Sequence, residues 1–412
     1  MSGSTGGGLT QIVAYGAQDV YLTGDATQSL WKSAYIRKKL FAVESVEQTL
    51  QGTATYGGSS TILIQRAGDI AAGLMFQITL KRGPSGVNDP IPFFPAEHLI
   101  QNIELRIGGQ RIDWIPHNWL RVWNQMYLNS KQTVAYTDQA DFGNEVEGQE
   151  RTFFIPIPFF FNHWDFKRSL PLIALQYHEV ELWINFTPAS EIIGIDPTFQ
   201  PKIRAYVDYA YLDSEERIWF AQNPHEYLIQ QLQYQKQMVV LDSRQRDYKI
   251  SLNFNHPCKF VAWNFSPGPQ THGRFTYLQG ETDDNTAAPL SDAVITLNGR
   301  ERFTMRPGKY FKNANPWLSQ YGGYFTSGLY AYNFGLQNCL NADPAGTLNF
   351  SRIDNAILRL TTKAAVLTGG ETSTNETQTN TQNSILNTVE IYALNYNILR
   401  IASGMGGLAY AN

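Results

Sequence analysis

The two halves of this chain rhyme, and that rhyme constrains its fold more than any other feature. A strand, a glycine turn and a second strand at 102–115 (IELRIGGQRI at its centre) recur about 190 residues later at 293–303 (VITLNGRERF). Each is followed by a Trp-Leu pair, Trp119–Leu120 and Trp317–Leu318. AYVDYAYLD (205–213), near the end of the first half, resembles IYALNYNIL (391–399), near the end of the second. Shared order and spacing at low identity describe a duplicated unit of roughly 190 residues.

The repeated unit reads as β. Short apolar or alternating runs punctuated by Gly and Pro lie at 60–65, 73–81, 102–115, 172–186, 202–213, 248–254, 259–265, 292–303, 355–362 and 388–401. β-Branched and aromatic residues fill them, as half-buried pleated surfaces favour. Ile103, Leu105 and Ile107 alternate with Glu104 and Arg106, and Gly108–Gly109 is expected to turn a hairpin. About eight strands per copy fit a jelly roll. Two helices are expected: 116–128, with Trp119, Leu120, Trp123, Met126 and Tyr127 at helical spacing, and 213–223, opened by an Asp213-x-x-Glu216 capping arrangement and closed before Pro224. The second marks a connector. The Thr-rich stretch 368–384 holds no large apolar residue and is expected as a solvated loop.

Composition narrows the function. Only 17% of residues are charged while 13% are aromatic. A chain with so few charges and so many rings has much surface to hide, in cores or between subunits. The net charge is −4, and residues 1–31 contain no Lys or Arg, so no basic tail is available for direct nucleic-acid binding. Two cysteines, Cys258 and Cys339, read as buried free thiols, which suits a reducing compartment. The opening residues have no basic and apolar signal-peptide pattern, and the apolar run 153–161 is short and broken by Pro156 and Pro158, so no membrane anchor is expected.

Catalytic motifs are missing: no GxGxxG, Walker loop, HExxH or GxSxG occurs. The seven histidines are scattered, and His178 and Glu179 are expected to face opposite ways on one strand. The acidic clusters 145–150 and 281–284 read as loop charges, although a β-sandwich carbohydrate-active enzyme using carboxylates such as Glu147 and Asp283 stays open as an alternative. Of four N-x-S/T sequons, at Asn185, Asn264, Asn349 and Asn375, only the last is expected to be accessible. No catalytic, cofactor-binding or metal residue is assigned.

Two ordered signatures bring in a family. Residues 6–24 (GGGLTQIVAYGAQDVYLTG, with Gln18, Asp19 and Tyr21) and 344–360 (PAGTLNFSRIDNAILRL, with Arg352, Asp354 and Asn355) resemble segments of the major capsid proteins of nucleocytoplasmic large DNA viruses. The ending 395–412 is similar as well. The resemblance implies an all-β double jelly roll of two tandem eight-stranded antiparallel sandwiches, with short helices in loops and in the connector. Its implied division is an interior N-terminal arm (1–25), jelly roll 1 (26–213), a connector helix (214–224) and jelly roll 2 (225–412). It implies no enzymatic activity and no cofactor. It further implies homotrimeric pseudo-hexagonal capsomers that tile an icosahedral shell around a double-stranded DNA genome. The partners it implies are neighbouring capsomers, minor capsid and penton proteins, and the internal viral membrane through associated proteins. The virion shell is the implied location, after synthesis and assembly in the host cytoplasm. A minor penton or spike component is the other alternative. Gln18, Asp19, Tyr21, Arg352, Asp354 and Asn355 are the candidate structural or interface residues. Arg352 and Asp354, two apart on an expected strand, would share a face and tie the second sandwich to its neighbours. At 412 residues the chain is toward the compact end for such a protein, so short outward loops and no elaborate inserted surface domain are expected.

Overall fold

Apolar side chains at every second position give each strand one face for a core, and strands dominate the result. The computed structural model describes residues 7–27, 29, 31, 37–83, 94–140, 147–162, 166–192, 194–241, 246–267, 290–319, 328–336, 344–362 and 385–410. The Thr-rich segment 368–384, the 281–284 cluster with Asp283, Cys339 and Asn375 lie outside them. Residues 1–40 form one compact unit and 41–412 another. The smaller unit carries two short helices, α1 (Gly7–Val13) and α2 (Val20–Thr23).

In the larger unit, the first ten strands are β1 (Phe41–Gln48), β2 (Leu50–Gln51), β3 (Ser59–Leu63), β4 (Ile70–Lys81), β5 (Ile100–Ile107), β6 (Gln110–Pro116), β7 (Glu150–Pro156), β8 (Leu170–Pro171), β9 (Val180–Phe186) and β10 (Lys202–Leu212). They make two sheets, ordered β1-β10-β4-β7 (β8 beside β4) and β2-β3-β9-β5-β6. The rest are β11 (His225–Leu241), β12 (Asp247–Ser251), β13 (Pro257–Pro267), β14 (Leu290–Leu297), β15 (Arg300–Glu301), β16 (Arg306–Pro307), β17 (Leu329–Asn333), β18 (Leu348–Asn349), β19 (Ala356–Thr362), β20 (Ile385–Ala402) and β21 (Met405–Leu408). Their sheets are ordered β11-β20-β13-β17 and β12-β19-β14-β15. The orders correspond, β1-β10-β4-β7 to β11-β20-β13-β17 and β3-β9-β5-β6 to β12-β19-β14-β15, with the first long strand of each half at a sheet edge beside its last long strand. Every ladder joins strands of one half, and the strand pairs are antiparallel. This is a double jelly roll, as the rhyme and the resemblance led us to expect.

Alternation builds each core. Phe76, Ile78, Phe153 and Val207 lie inside the first sandwich, and Trp263, Ile295, Leu358 and Ile391 inside the second. The hairpins explain the rhyme. Gly108 and Gly109 have φ of 57° and 81°, and Asn298 and Gly299 have 48° and 78°. Both central residues are left-handed, as the two-residue turn matching strand twist requires. A Cβ at Gly108 would lie 2.4 Å from His178 Nδ1, so the first hairpin has no room for the asparagine that the second uses.

Seven α-helical segments are described, the remaining five being α3 (Pro95–Leu99), α4 (His117–Tyr127), α5 (Ser130–Ala140), α6 (Ser214–Gln222) and α7 (Asn315–Leu318). Helices α4 and α6 fall where spacing places them. The Asp213 carboxylate caps α6 by accepting from the Ser214 N–H at 2.7 Å. Three expectations need correction. Residues 172–186 are not one strand: after Pro171 the chain makes a 3-10 turn (Leu172–Ala174), with the Leu175 N–H donating to Leu172 O, and only Val180–Phe186 is extended. His178 and Glu179 therefore precede the strand rather than alternating on it. Asn349, expected to be inaccessible, is exposed. Cys258 is a buried free thiol, and burial pushes its pKa up. No helix among the described residues is long and apolar enough to cross a membrane.

Candidate functional site at the seam between the sandwiches

Among the described residues no group of three or more His, Cys, Asp or Glu side chains is placed to hold a metal ion, and Glu147 is exposed. The chemistry that stands out is structural and lies where the halves meet. Strands β6 and β11 are sheet edges, and edges carry unpaired backbone groups. Here each edge is satisfied by a side chain of the other. Asp113 Oδ1 on β6 accepts from the Leu232 N–H of β11 at 3.2 Å and from its neighbour Trp114 N–H at 2.9 Å. In return, the Gln231 side-chain amide of β11 donates to the Ile112 carbonyl of β6. Gln231 Oε1 accepts from Asn397 Nδ2 at 2.8 Å, and the same amide reaches Tyr410 O at 2.9 Å, so the C-terminal residues join the seam. Burial pushes the Asp113 carboxyl up to about 7, against the opposing pull of the two N–H groups and Arg111.

Helix α4 fills the rest of the seam. Its position is fixed from below by Glu97 of α3, which accepts from Asn124 Nδ2 at 2.8 Å and from the Tyr136 hydroxyl of α5 at 2.5 Å. Burial raises the Glu97 pKa despite nearby Arg121 and those two donors. At its other end α4 crosses to the second sandwich. Asn118 Nδ2 donates to Glu390 Oε2 at 2.5 Å, and Glu390 also accepts from Tyr392 OH at 2.9 Å, Tyr234 OH at 3.1 Å and Asn264 Nδ2 at 3.3 Å. Four donors around one buried carboxylate make an enclosed charge tolerable. Burial, then the Glu390 charge, raises both tyrosine pKa values, which keeps them as donors. Trp119 stacks on Phe260 and packs tilted against Tyr392, with centroids 6.4 and 5.5 Å away, and Trp114 lies 5.6 Å from Tyr234. The outward face of β11-β20-β13-β17 is thereby sealed: Phe260, Ala262, Leu329, Ala331 and Tyr392 are buried and share one apolar cluster with the first sandwich. A third contact is made by the tail. The Gly406 N–H donates to His178 Nδ1 at 3.1 Å and the Tyr177 N–H to Gly404 O at 2.9 Å. A Cβ at Gly404, where φ is 80°, would lie 2.5 Å from the Tyr177 ring.

The residues singled out from sequence lie elsewhere, in two separate places. Asp19 Oδ2 accepts from the Gly16 N–H at 2.7 Å and shapes the turn into α2, while Gln18 is exposed and Tyr21 is 92% exposed. Arg352 ends a 3-10 turn (Phe350–Arg352) opened by the Asn349 side chain, and Asp354 sits in a bend before β19. They are not strand neighbours, and no ion pair joins them among the described residues. The cause is local: Asn349 Oδ1 accepts from the Ser351 N–H at 3.1 Å and Phe350 turns into the core. Asn355 instead holds the β14–β15 hairpin, its N–H donating to Asn298 Oδ1 at 2.9 Å and its carbonyl accepting from Asn298 N–H at 2.7 Å. Sequence reasoning missed Asp113, Gln231 and Glu390. A signal was available for Glu390: VEIYAL (389–394) is apolar at both parities, so both faces of that strand must be covered.

Comparison with known proteins agrees with this geometry. Residues 216–407 match the family model described as large eukaryotic DNA virus major capsid protein, and 29–213 match that for the major capsid protein N-terminus. The chain is 41% identical to the major capsid protein of Paramecium bursaria Chlorella virus 1, covering 98% of this chain and 100% of that one. It is 35% identical to the major capsid protein of Pyramimonas orientalis virus, over 99% of this chain and all of the relative. Among solved structures it matches the quasi-atomic model of the PBCV-1 virus capsid with a TM-score of 0.84 at 37% identity, over 93% of this chain and 100% of that one. With both sandwiches matched end to end, this chain belongs to the major capsid proteins of large eukaryotic DNA viruses.

Proposed function

We propose that three copies of this chain associate into a pseudo-hexagonal capsomer, and that capsomers tile an icosahedral shell around a double-stranded DNA genome. As a member of this capsid family the chain is a structural component of the virion shell, not an enzyme. In this reading residues 1–25 are the interior arm, 26–213 and 225–412 the two jelly rolls, and 214–224 the connector. The arm, with Gln18, Asp19 and Tyr21, meets neighbouring capsomers and minor capsid or penton proteins on the inner side, and through such proteins the internal membrane. Arg352 and Asp354, both exposed, supply lateral contacts, and Asn355 keeps the adjoining hairpin in shape. Synthesis and assembly take place in the host cytoplasm.

The observation that carries this reading is the sealed seam. Two sandwiches locked by buried carboxylates and stacked rings form a stiff double block, and large low-charge blocks suit repeated close packing. Light scattering of the purified chain behind a sizing column tests it. A stable species of about 140 kDa, three times the 46.5 kDa chain, is expected for a closed three-fold assembly. A monomer at every concentration would contradict the reading.

A further inference from the structure

The seam within one chain is closed by an element that the second half repeats but leaves open. After the first hairpin, α4 carries Trp119 and Leu120, each 2% exposed. After the equivalent hairpin in the second half, a π-helical turn (Tyr310–Ala314) runs into α7, whose Trp317 and Leu318 are 78% and 59% exposed. The segment is anchored, since Phe311 is buried in the second core and Asn315 Oδ1 accepts from the Asn333 N–H at 3.1 Å. Its Trp-Leu pair is thus held out from a firm base, uncovered among the described residues.

The surface that such an element covers is also duplicated. In the second half, α4 seals the row Tyr392–Ala262–Ala331, three residues in register across β20, β13 and β17. The same row in the first half is Tyr206–Met75–Pro156, in register across β10, β4 and β7. Tyr206 and Tyr392 fall at matching places in the two rhyming strands. All three residues of the sealed row are fully buried, whereas those of the open row are half-buried; Phe154, two residues from Pro156 on the same face of β7, is 38% exposed, and the exposed Glu47 of β1 is in register with Tyr206. One chain therefore presents an uncovered plug on one half and an uncovered seat on the other, related as its own α4 is related to the row that α4 seals. Such complementary, non-identical surfaces join copies head to tail, and a ring closes them all.

We propose that Trp317 and Leu318 of one copy cover the Tyr206–Met75–Pro156 row of the next, repeating between chains the seam found within one. This rests on the trimer reading and names the surfaces that build it. The contact between copies differs in one respect: the place of the buried Glu390 is taken by Arg204, exposed and 3.7 Å from Glu47. Glu47, in register with Tyr206 where the seam has Tyr234, brings its carboxylate to the joint already paired with Arg204, in place of Glu390 and its four donors.

A photo-reactive phenylalanine analogue at position 317 of the full chain tests the contact, with cross-links in the isolated assembly mapped by mass spectrometry. Cross-links between chains, from position 317 to peptides within 41–48, 150–156 or 202–212, are expected. In parallel, Trp317→Glu with Leu318→Glu should convert the species of about 140 kDa to one of 46.5 kDa with unchanged far-ultraviolet circular dichroism. Phe154→Glu on the seat should do the same, and serves if the plug variant misfolds. A trimer whose cross-links fall elsewhere, or that survives both substitutions, overturns this contact and leaves the trimer reading standing. An unsubstituted chain that stays monomeric overturns the trimer reading and the contact with it.

Discussion

Trp119–Leu120 and Trp317–Leu318 are the same pair at the same place in two copies of one fold, yet the first is sealed and the second bare. What separates them is the neighbour. The first pair finds the sheet face of its own chain's second half, with Phe260 and Tyr392 ready to pack against it and Glu390 ready to accept from Asn118. The second pair has no third sandwich to meet. Duplication followed by one internal closure leaves one plug and one seat unused, and a protein that works by associating with itself can use both.

Removing the buried charge should break this contrast most. Glu390→Ala leaves Asn118, Asn264, Tyr234 and Tyr392 without their acceptor and should cost about 3–5 kcal/mol in urea unfolding, with Glu390→Gln costing clearly less. Trp119→Ala should cost a similar ~3–5 kcal/mol, because it empties a packed site. Next comes the turn. Gly108→Asn, which copies the second hairpin into the first, should cost roughly 1–3 kcal/mol by forcing a Cβ against His178, while Gly299→Asn meets no neighbour within 4 Å. The seam should also respond to pH through Asp113. Its pKa is raised, so the neutral form is favoured in the folded state. Its contribution is complete below the unfolded carboxyl value near 4 and is lost as pH rises toward about 7, at roughly 1.4 kcal/mol per pH unit. Unfolding curves from pH 4 to 8 should show this slope, and Asp113→Asn should flatten it. The smallest effect sharpens the comparison most. In a Phe154→Glu background, where copies no longer meet, Trp317→Ala should change stability by less than about 0.5 kcal/mol.

Much of the fold was legible in the sequence, for reasons that are local. Alternation marked β4, β5, β10 and β19, paired left-handed positions marked both hairpins, and helical spacing marked α4. What escaped notice depends on partners distant in sequence. Strand β11 is rich in glutamine, with Gln230, Gln231, Gln233, Gln235 and Gln237, and lacks a strand's usual composition. It is extended because it pairs along its whole length with β20, from His225 opposite Ile401 to Leu241 opposite Ile385. The seam residues were invisible for the same reason: Asp113 in RIDWI reads as one more polar position until β11 supplies the Leu232 N–H. Arg352 and Asp354 were conspicuous in a signature, but Asn349 turns the chain there and parts them. A Trp-Leu pair in a sequence says that apolar surface will be covered, and leaves open whether the cover comes from the same chain or the next.

A cryo-electron microscopy reconstruction of the purified trimer tests the central claim most directly. Superposing jelly roll 2 of one copy with jelly roll 1 of the next onto the two jelly rolls of a single chain should lay residues 310–318 over Tyr206 and Met75 as 117–127 lie over Tyr392 and Phe260. A trimer in which that row faces solvent, or is covered by any other segment, would contradict the claim that one seam is used twice.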